Sequence, residues 1–348
     1  MVWQAVDQLE PAIEATKRLL LPFELRRWLV LGIVVFFVSG STGSGSSTSF
    51  NAGEITLPAE PVVDLPDQLW EFPWAMPADE LGSTMAAPVG PRTWMFVLAL
   101  VVLFLLVGLV FAYVAAVFEF VFVELARSRE VRIRGYFGAH LRTGLSLFLF
   151  RLAVGVAIIA GTVGLLLLVF LTGGLFLIVL LVGFPVFVLL GVGIWVIFRF
   201  TVDFVVPVMI AEHVGLLRGW SLFASEMHRE WQQYTVYAVV RAILGFMAGL
   251  VLAIGYAAIA VFLAIPFLLL GLPGFFLLVS VLGLEVAGIV WAVGLGGLFV
   301  LLVVVVGTIS LQVPVQTYLR YYSLFVLGAT SSNFELLGDL RADLAVGD

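Results

Sequence analysis

The sequence predicts an all-α fold: a polytopic transmembrane helical bundle of about six membrane helices, with amphipathic interfacial helices and an internal hairpin repeat. Of its 348 residues, 62% are hydrophobic and 11% are charged, and the mean hydropathy is +1.17. A soluble domain carries about 25% charged and about 45–50% apolar residues. Five apolar runs also reach the length of about 20 residues that a bilayer-spanning helix needs. A cytosolic enzyme, a nucleic-acid-binding protein and a secreted disulfide scaffold are therefore excluded.

The membrane helices are predicted from these apolar runs. Five clear runs lie at residues 94–123, 145–171, 175–202, 234–264 and 284–309. A shorter run at 28–38 is predicted as the first of six membrane helices, because a bilayer adapts to a short helix by local thinning and by snorkelling of flanking residues such as Arg26 and Arg27.

The pair Arg26-Arg27 also resembles a twin-arginine signal, which is the alternative for this first run. A cleaved signal begins with a short basic segment. Here 27 residues that include four acids precede the apolar run. The membrane helix is therefore the preferred interpretation.

Five regions are predicted along the chain. In the first, Val2, Val6, Leu9 and Ile13 recur at the spacing of an amphipathic helix on a membrane surface. The regions are an N-terminal amphipathic interfacial helix (1–27), the first membrane helix (28–38), an extracellular acidic loop rich in Gly, Ser and Pro (39–92), a five-helix membrane core (93–311), and a cytoplasmic interfacial helix with the C-terminal tail (312–348).

The distribution of charge predicts the orientation in the membrane. Segments 1–27, 124–142, 203–232 and 312–348 contain thirteen of the seventeen basic residues, whereas loop 39–92 contains seven acids and a single base. Basic residues concentrate in cytoplasmic loops. We therefore expect a multi-pass protein of the plasma membrane with both termini in the cytoplasm and the acidic loop outside.

An internal repeat is predicted from two similar stretches 84 residues apart, beginning at Glu119-Phe120-Val121 and Asp203-Phe204-Val205. Sixteen residues after each acid comes a candidate interfacial motif, Arg134-Gly135 in the first unit and Arg218-Gly219 in the second. A shortened third copy follows near Val313-Pro314-Val315 and Arg320-Tyr321-Tyr322. Each unit is interpreted as a membrane helix, a short interfacial helix and a returning membrane helix, an arrangement that occurs in transporters and in bundles without a transport role.

These stretches, together with the start Leu25-Arg26-Arg27-Trp28 and the Ser/Gly-rich first loop, resemble an uncharacterised haloarchaeal multi-pass membrane family over essentially the whole chain. The near-absence of lysine, with one lysine against sixteen arginines, agrees with a salt-loving source. Residues 203–241 are distantly similar to the helical membrane domain attached to some bacterial glycerophosphodiester phosphodiesterases. That likeness implies a shared helical architecture and no catalytic residues.

A candidate intramembrane polar cluster consists of charged residues inside the apolar runs. A charge at the bilayer centre costs about 2.5–3.5 kcal/mol, so such residues need a role. One interpretation is that they form a cleft for an anionic headgroup or small solute. The preferred interpretation is that they make ion pairs that lock the hairpins together. Arg199 and Asp203 are four residues apart and are expected to pair. The cluster comprises Glu119, Arg151, Arg199, Asp203 and Arg241, and Glu285 is a further intramembrane acid.

No enzyme, metal or cofactor is predicted. The chain has no cysteine and three histidines, and it lacks a phosphate loop, a metalloprotease motif, a nucleophile elbow and a dinucleotide fingerprint. His213 and His228, near Glu212, Glu226 and Glu230, suggest a metal or proton-relay site, but polar residues on a solvated helix face explain them more simply.

The expected function is that of a non-catalytic scaffold or accessory membrane protein. The alternatives are a small-solute transporter or channel, which needs a continuous polar path, and a lipid-headgroup-binding protein, which needs a groove beside Arg151 and Arg241. Expected partners are membrane lipids and either another membrane protein or a second copy of the chain, with no nucleic acid.

Overall fold

A computed structural model describes residues 4–41, 91–128, 133–172 and 176–345. Within these ranges the chain is almost entirely helical and contains no β-strand. The prediction of an all-α fold with membrane-length helices is therefore confirmed. Among the described residues, five helices are long and apolar enough to cross a membrane: Trp94–Ser128, Leu141–Leu167, Gly183–Glu212, Trp231–Val281 and Glu285–Thr330. Nearly all of the predicted loop 39–92 lies outside the described residues.

Within each described range the helices follow one another with short connections. In chain order they are α1 (Gln4–Asp7), α2 (Leu9–Leu20), α3 (Leu25–Ser41), α4 (Pro91–Ser128), α5 (Ile133–Ala139), α6 (Leu141–Thr172), α7 (Phe176–Phe200), α8 (Val206–Glu212), α9 (Leu216–Arg229), α10 (Trp231–Phe276), α11 (Glu285–Gly307), α12 (Val313–Thr330) and α13 (Gly338–Ala345). Three π-helical segments, Thr201–Val205, Leu277–Val281 and Thr308–Gln312, extend or join these helices.

The chain divides into two compact units, Thr48–Phe111 and a main unit made of Met1–Ser47 and Ala112–Asp348. Helix α4 therefore begins in the first unit and ends in the main unit. All the charged residues of the predicted intramembrane cluster belong to the main unit.

The amphipathic N-terminal segment forms α1 and α2 and ends at Leu20, before the predicted boundary at residue 27. Its small residues Ala12 and Ala15 are buried against α12, where the short side chains permit close approach. Val6 and Ile13, which the sequence places on the apolar face, are 45% and 46% exposed. The surface that packs on the bundle is therefore a different one, which carries Ala12, Ala15, Leu19 and Leu20 together with Leu9 of the predicted stripe.

The predicted first crossing, 28–38, lies inside the 17-residue helix α3. At 1.5 Å per residue this helix is about 26 Å long, slightly short of the hydrocarbon thickness of about 30 Å. Its residues Leu31, Val34, Val35 and Val38 are buried, and the helix packs against the π-helical segment Thr308–Gln312. The count of six membrane helices stays a prediction.

The longest helices form an antiparallel hairpin. Residues Trp231–Val281 make one continuous helical arm of 51 residues, about 75 Å long, whereas the sequence predicts its membrane part as 234–264. Gly283 turns the chain with a φ of +68°, a conformation that favours glycine, and α11 returns alongside α10. Each arm is longer than the hydrocarbon layer of about 30 Å.

The second arm does not stop at the predicted core boundary of 311/312. The segment Thr308–Gln312 joins α11 to α12 as one helix that ends at Thr330. Almost all of α12 is buried, including Tyr321, Tyr322 and Phe325. The first part of the region expected to lie on the cytoplasmic surface therefore forms the central helix of the main unit, because thirteen of the eighteen residues of α12 are buried.

The protein core gathers at one end of the bundle, here called the charged end because the buried charged residues lie there. Phe204 stacks on Phe223 with ring centroids 5.1 Å apart, and Tyr237 stacks on Tyr322 at 5.4 Å. The rest of α6, α7, α10 and α11 exposes large apolar side chains, as expected for helix surfaces that face lipid.

Candidate intramembrane charge cluster

Two carboxylates are buried at the charged end. Glu119 on α4 is 0% exposed, and Asp203 in the π-helical segment Thr201–Val205 is 1% exposed. A buried carboxylate must be paired and hydrogen-bonded to offset its lost hydration. Each of these two is paired with two arginines. We call the groups the Glu119 cluster (Glu119, Arg151, Arg320) and the Asp203 cluster (Asp203, Arg199, Arg241, Tyr237).

The Glu119 cluster joins three helices. Arg151 on α6 donates a hydrogen bond from Nη2 to Glu119 Oε1 at 3.0 Å. Arg320 on α12 donates from Nη2 to the other carboxylate oxygen, Oε2. Nη1 of Arg320 also donates to the carbonyl of Val202 at 2.8 Å, and its guanidinium lies 5.2 Å from the centre of the Phe122 ring. Glu119 therefore connects α4, α6 and α12 at one point.

The Asp203 cluster joins the end of α7 to α10. Arg199 Nε and the Tyr237 hydroxyl both donate to Asp203 Oδ2, at 2.8 Å and 2.7 Å. Arg241 Nε lies 3.4 Å from the same oxygen as an ion pair. Asp203 lies in a π-helical turn, a local irregularity that is frequent at functional sites.

All five residues of the predicted cluster take part in these buried pairs, and Arg199 pairs with Asp203 as the spacing predicts. Arg320 is the member that the sequence analysis did not include. Its only signal is its place in the shortened third copy of the repeat. Arg320 follows the last apolar run, in region 312–348, which the sequence predicts as a cytoplasmic interfacial helix and tail.

The two clusters together hold more positive than negative charge. Four arginines face two carboxylates, an excess of two positive charges that becomes evident once Arg320 is included. Several guanidinium nitrogens are buried without a hydrogen-bond acceptor in the described part of the chain, namely Nε and Nη1 of Arg151 and Nε of Arg241. The arginines therefore offer more donors than the carboxylates use.

A pocket adjoins the Asp203 cluster between α7, α10 and α12. Its volume is about 230 Å³. Arg199 and Arg241 form its charged wall, Gln316 adds an amide, and Trp195 and Phe246 line its apolar part. Gly245 also borders it, so no side chain projects from α10 at that position. The pocket is therefore cationic on one side and apolar on the other.

The two copies of the predicted interfacial motif occupy different environments. Arg134 and Gly135 are exposed on α5, and a Cβ atom at Gly135 would have no neighbour within 4 Å. Arg218 on α9 is exposed, but Gly219 is buried, and a Cβ there would lie 2.9 Å from Met209 Cγ and 3.2 Å from Val205 Cγ1. Gly219 permits a close approach of α9 to α8, whereas Gly135 has no such role.

The remaining candidate acids and histidines lie apart from the two clusters. Glu285 is exposed at the start of α11, beside the hairpin turn. His213 ends α8 in a left-handed conformation with a φ of 52°. Within the described ranges, His213, His228 and their neighbouring acids form no group of three or more that could hold a metal ion.

A protein-family model matches residues 3–337, nearly the whole chain. The protein belongs to the family of unknown function DUF7544. This DUF7544 chain has no match among the curated proteins or the solved structures.

Proposed function

We infer that this protein is a non-catalytic integral membrane protein that acts as a scaffold or accessory subunit. The observation that supports this function is the pairing of both buried carboxylates with arginines of the same chain. Such pairs hold α4, α6, α7, α10 and α12 together at the charged end. In some proteins buried charges fix one arrangement of helices, and we propose the same role here, which suits a protein that presents a stable surface to partners in the membrane.

The same charge distribution argues against a transporter or channel. Conduction or transport needs polar groups along the whole path. The only charged residues of α6, α7 and α10 are Arg142, Arg151, Arg199 and Arg241, which all lie toward the charged end, and the opposite end of the hairpin contributes only Glu285. A polar route that begins at the charged end therefore has no charged residue with which to continue through the bilayer.

The proposed setting is the plasma membrane, with both termini in the cytoplasm and the acidic loop outside. The concentration of arginines near the charged end supports this orientation. The excess of arginine over lysine supports a haloarchaeal origin. The proposed partners are membrane lipids and a membrane protein or second copy of the chain that packs on the exposed apolar helices.

Cysteine accessibility tests the proposed function, since the natural chain has no cysteine. Single cysteines replace Ser323, buried beside Arg320, and Val303, buried between α10 and α11, with exposed Ser225 as the positive control. We expect a membrane-impermeant maleimide to label Ser225→Cys in permeabilised membranes and to leave Ser323→Cys and Val303→Cys unmodified. Rapid labelling of Val303→Cys would reveal a water-filled path and contradict a scaffold without transport.

A further inference from the structure

We propose that the pocket between α7, α10 and α12 is a binding site for a phosphate group, supplied by a phospholipid that enters from the bilayer. This site, here called the arginine pocket, is lined by Trp195, Arg199, Arg241, Gly245, Phe246 and Gln316. The proposal goes beyond a scaffold role, because it assigns a ligand chemistry to a particular cavity.

The first support is the charge that remains after internal pairing. Arg199 and Arg241 share the single carboxylate of Asp203, so the wall of the pocket has a net charge of +1. The neighbouring Glu119 cluster has the same imbalance, with Arg151 and Arg320 on one carboxylate. An uncompensated charge in a low-dielectric environment is costly. An anion in the pocket would remove that cost.

The second support is a buried arginine with incomplete hydrogen bonding. Arg241 is 4% exposed, and its Nε lies 3.4 Å from Asp203 Oδ2 as an ion pair without making a hydrogen bond to any residue that the structure describes. Its side chain borders the pocket. A guanidinium group presents several N–H donors in a planar fork that matches the oxygen atoms of a phosphate. Arg241 and Arg199 together therefore supply the recognition chemistry of an oxyanion site.

The third support is the space above the Arg241 guanidinium. A Cβ atom at Gly245 would lie 3.5 Å from Arg241 Nη1, and it would have no other neighbour within 4 Å. The absence of a side chain at Gly245 thus leaves room beside the guanidinium. A larger side chain at this position would fill the pocket without altering any charge.

The shape of the arginine pocket favours a lipid over a free ion as the source of the phosphate. A volume of about 230 Å³ accommodates a headgroup but not acyl chains. Phe246 at its edge is 68% exposed, and Met247 beside it is 52% exposed, so the pocket adjoins an apolar helix surface that faces lipid. The acyl chains of a bound phospholipid would lie along this surface of α10 while its phosphate contacts Arg241.

The test compares two variants with the wild-type full-length chain. Arg241→Gln removes the guanidinium that borders the pocket, and Gly245→Leu fills the space beside it while raising helix propensity. Arg229→Gln is the control, because Arg229 is a surface residue of α9 whose side chain is 60% exposed. Circular dichroism and thermal unfolding in detergent establish that each variant is folded before binding is measured.

Binding is measured by native mass spectrometry of delipidated protein titrated with phosphatidylglycerol, and by calorimetric titration with inorganic phosphate. We expect one tightly bound phosphatidylglycerol on the wild-type and Arg229→Gln proteins. We expect Arg241→Gln to weaken it at least about tenfold, the effect of losing one charge-assisted hydrogen bond. We expect Gly245→Leu to weaken it as well, because the added side chain occupies the space beside the guanidinium.

The outcomes separate the possible sources. The wild type could bind inorganic phosphate but no lipid, with the binding weakened by Arg241→Gln and Gly245→Leu. That result would support the phosphate site and overturn the lipid as the source of the phosphate. Equal lipid affinity in all four proteins, or no binding of either probe to the wild type, would overturn the site. If Arg241→Gln does not fold, Gly245→Leu decides. None of these results changes cysteine accessibility at Val303, so the scaffold proposal is tested independently of the phosphate site.

Discussion

Arg320 donates a hydrogen bond to Glu119, a residue 201 positions earlier in the chain, and both side chains are buried. This contact brings the central helix α12 against α4 at the charged end. Arg151 occupies the other oxygen of the same carboxylate. The position of α12 in the core therefore depends on the Glu119 carboxylate, which has both of its arginine partners only when α4, α6 and α12 meet.

Replacement of Arg320 by glutamine is expected to destabilise the protein strongly. The variant leaves Glu119 with one arginine and the Val202 carbonyl without its donor. Breaking a buried ion pair by removing one partner costs about 3–5 kcal/mol. The measurement is reversible unfolding in mixed detergent micelles. Arg229→Gln serves as the control, because Arg229 is 60% exposed although its partner Glu226 is only 13% exposed, and its expected loss is smaller than that of Arg320→Gln. Equal stability of the two variants would be evidence against a buried Arg320 pair.

Two tyrosines of α10 provide a matched comparison of hydrogen bonds. Tyr237 donates to the carboxylate of Asp203, whereas the Tyr234 hydroxyl is bonded to the Thr330 hydroxyl, and both rings are at most 1% exposed. Hydrogen bonds to charged groups contribute about 1.5–3 kcal/mol and neutral ones about 0.5–1.5 kcal/mol. Tyr237→Phe is therefore expected to lose more unfolding free energy than Tyr234→Phe. The opposite order would mean that Asp203 does not depend on Tyr237.

The two motif glycines predict opposite effects of alanine. Gly219→Ala places a Cβ 2.9 Å from Met209 Cγ, and such overpacking costs about 1–3 kcal/mol. Gly135→Ala meets no neighbour within 4 Å and gains up to about 1 kcal/mol of helix propensity. Thermal unfolding of the two variants is expected to shift the midpoint down for Gly219→Ala and to leave it equal or higher for Gly135→Ala. A lower midpoint for Gly135→Ala would contradict its open environment.

The proposed orientation predicts which sites are reached from outside the cell. A cysteine at Ser83, in the acidic loop, is expected to react with a membrane-impermeant maleimide on intact cells. A cysteine at Ser225, exposed on α9, is expected to react only after the membrane is permeabilised. The reverse pattern would place the acidic loop in the cytoplasm.

The sequence predicts the membrane-length helices and the residues of the charge clusters better than it predicts helix boundaries. Apolar runs identify where a helix lies in lipid. Nothing in hydropathy marks the end of a helix whose backbone hydrogen bonds continue into polar residues, as they do from α11 through Thr308–Gln312 into α12.

The role of Arg320 could not be predicted from its local sequence. A polar residue near the end of a membrane helix gives the same hydropathy pattern whether its side chain faces water or a buried carboxylate. The partner Glu119 is distant in the chain, and pairing depends on tertiary packing. The buried, small-residue face of α2 is missed for a related reason, since alanines contribute little to an amphipathic pattern but permit close approach to α12.

A double-mutant cycle between Glu119 and Arg320 tests most directly whether the buried charges hold the central helix in place. The unfolding free energy is measured for the wild type, Glu119→Gln, Arg320→Gln and the double variant. We predict a coupling energy of at least about 2 kcal/mol, because close, desolvated charge pairs couple by about 1.5–7 kcal/mol. A coupling energy near zero would mean that the two side chains do not interact and would contradict the assembly of α4, α6 and α12 around Glu119.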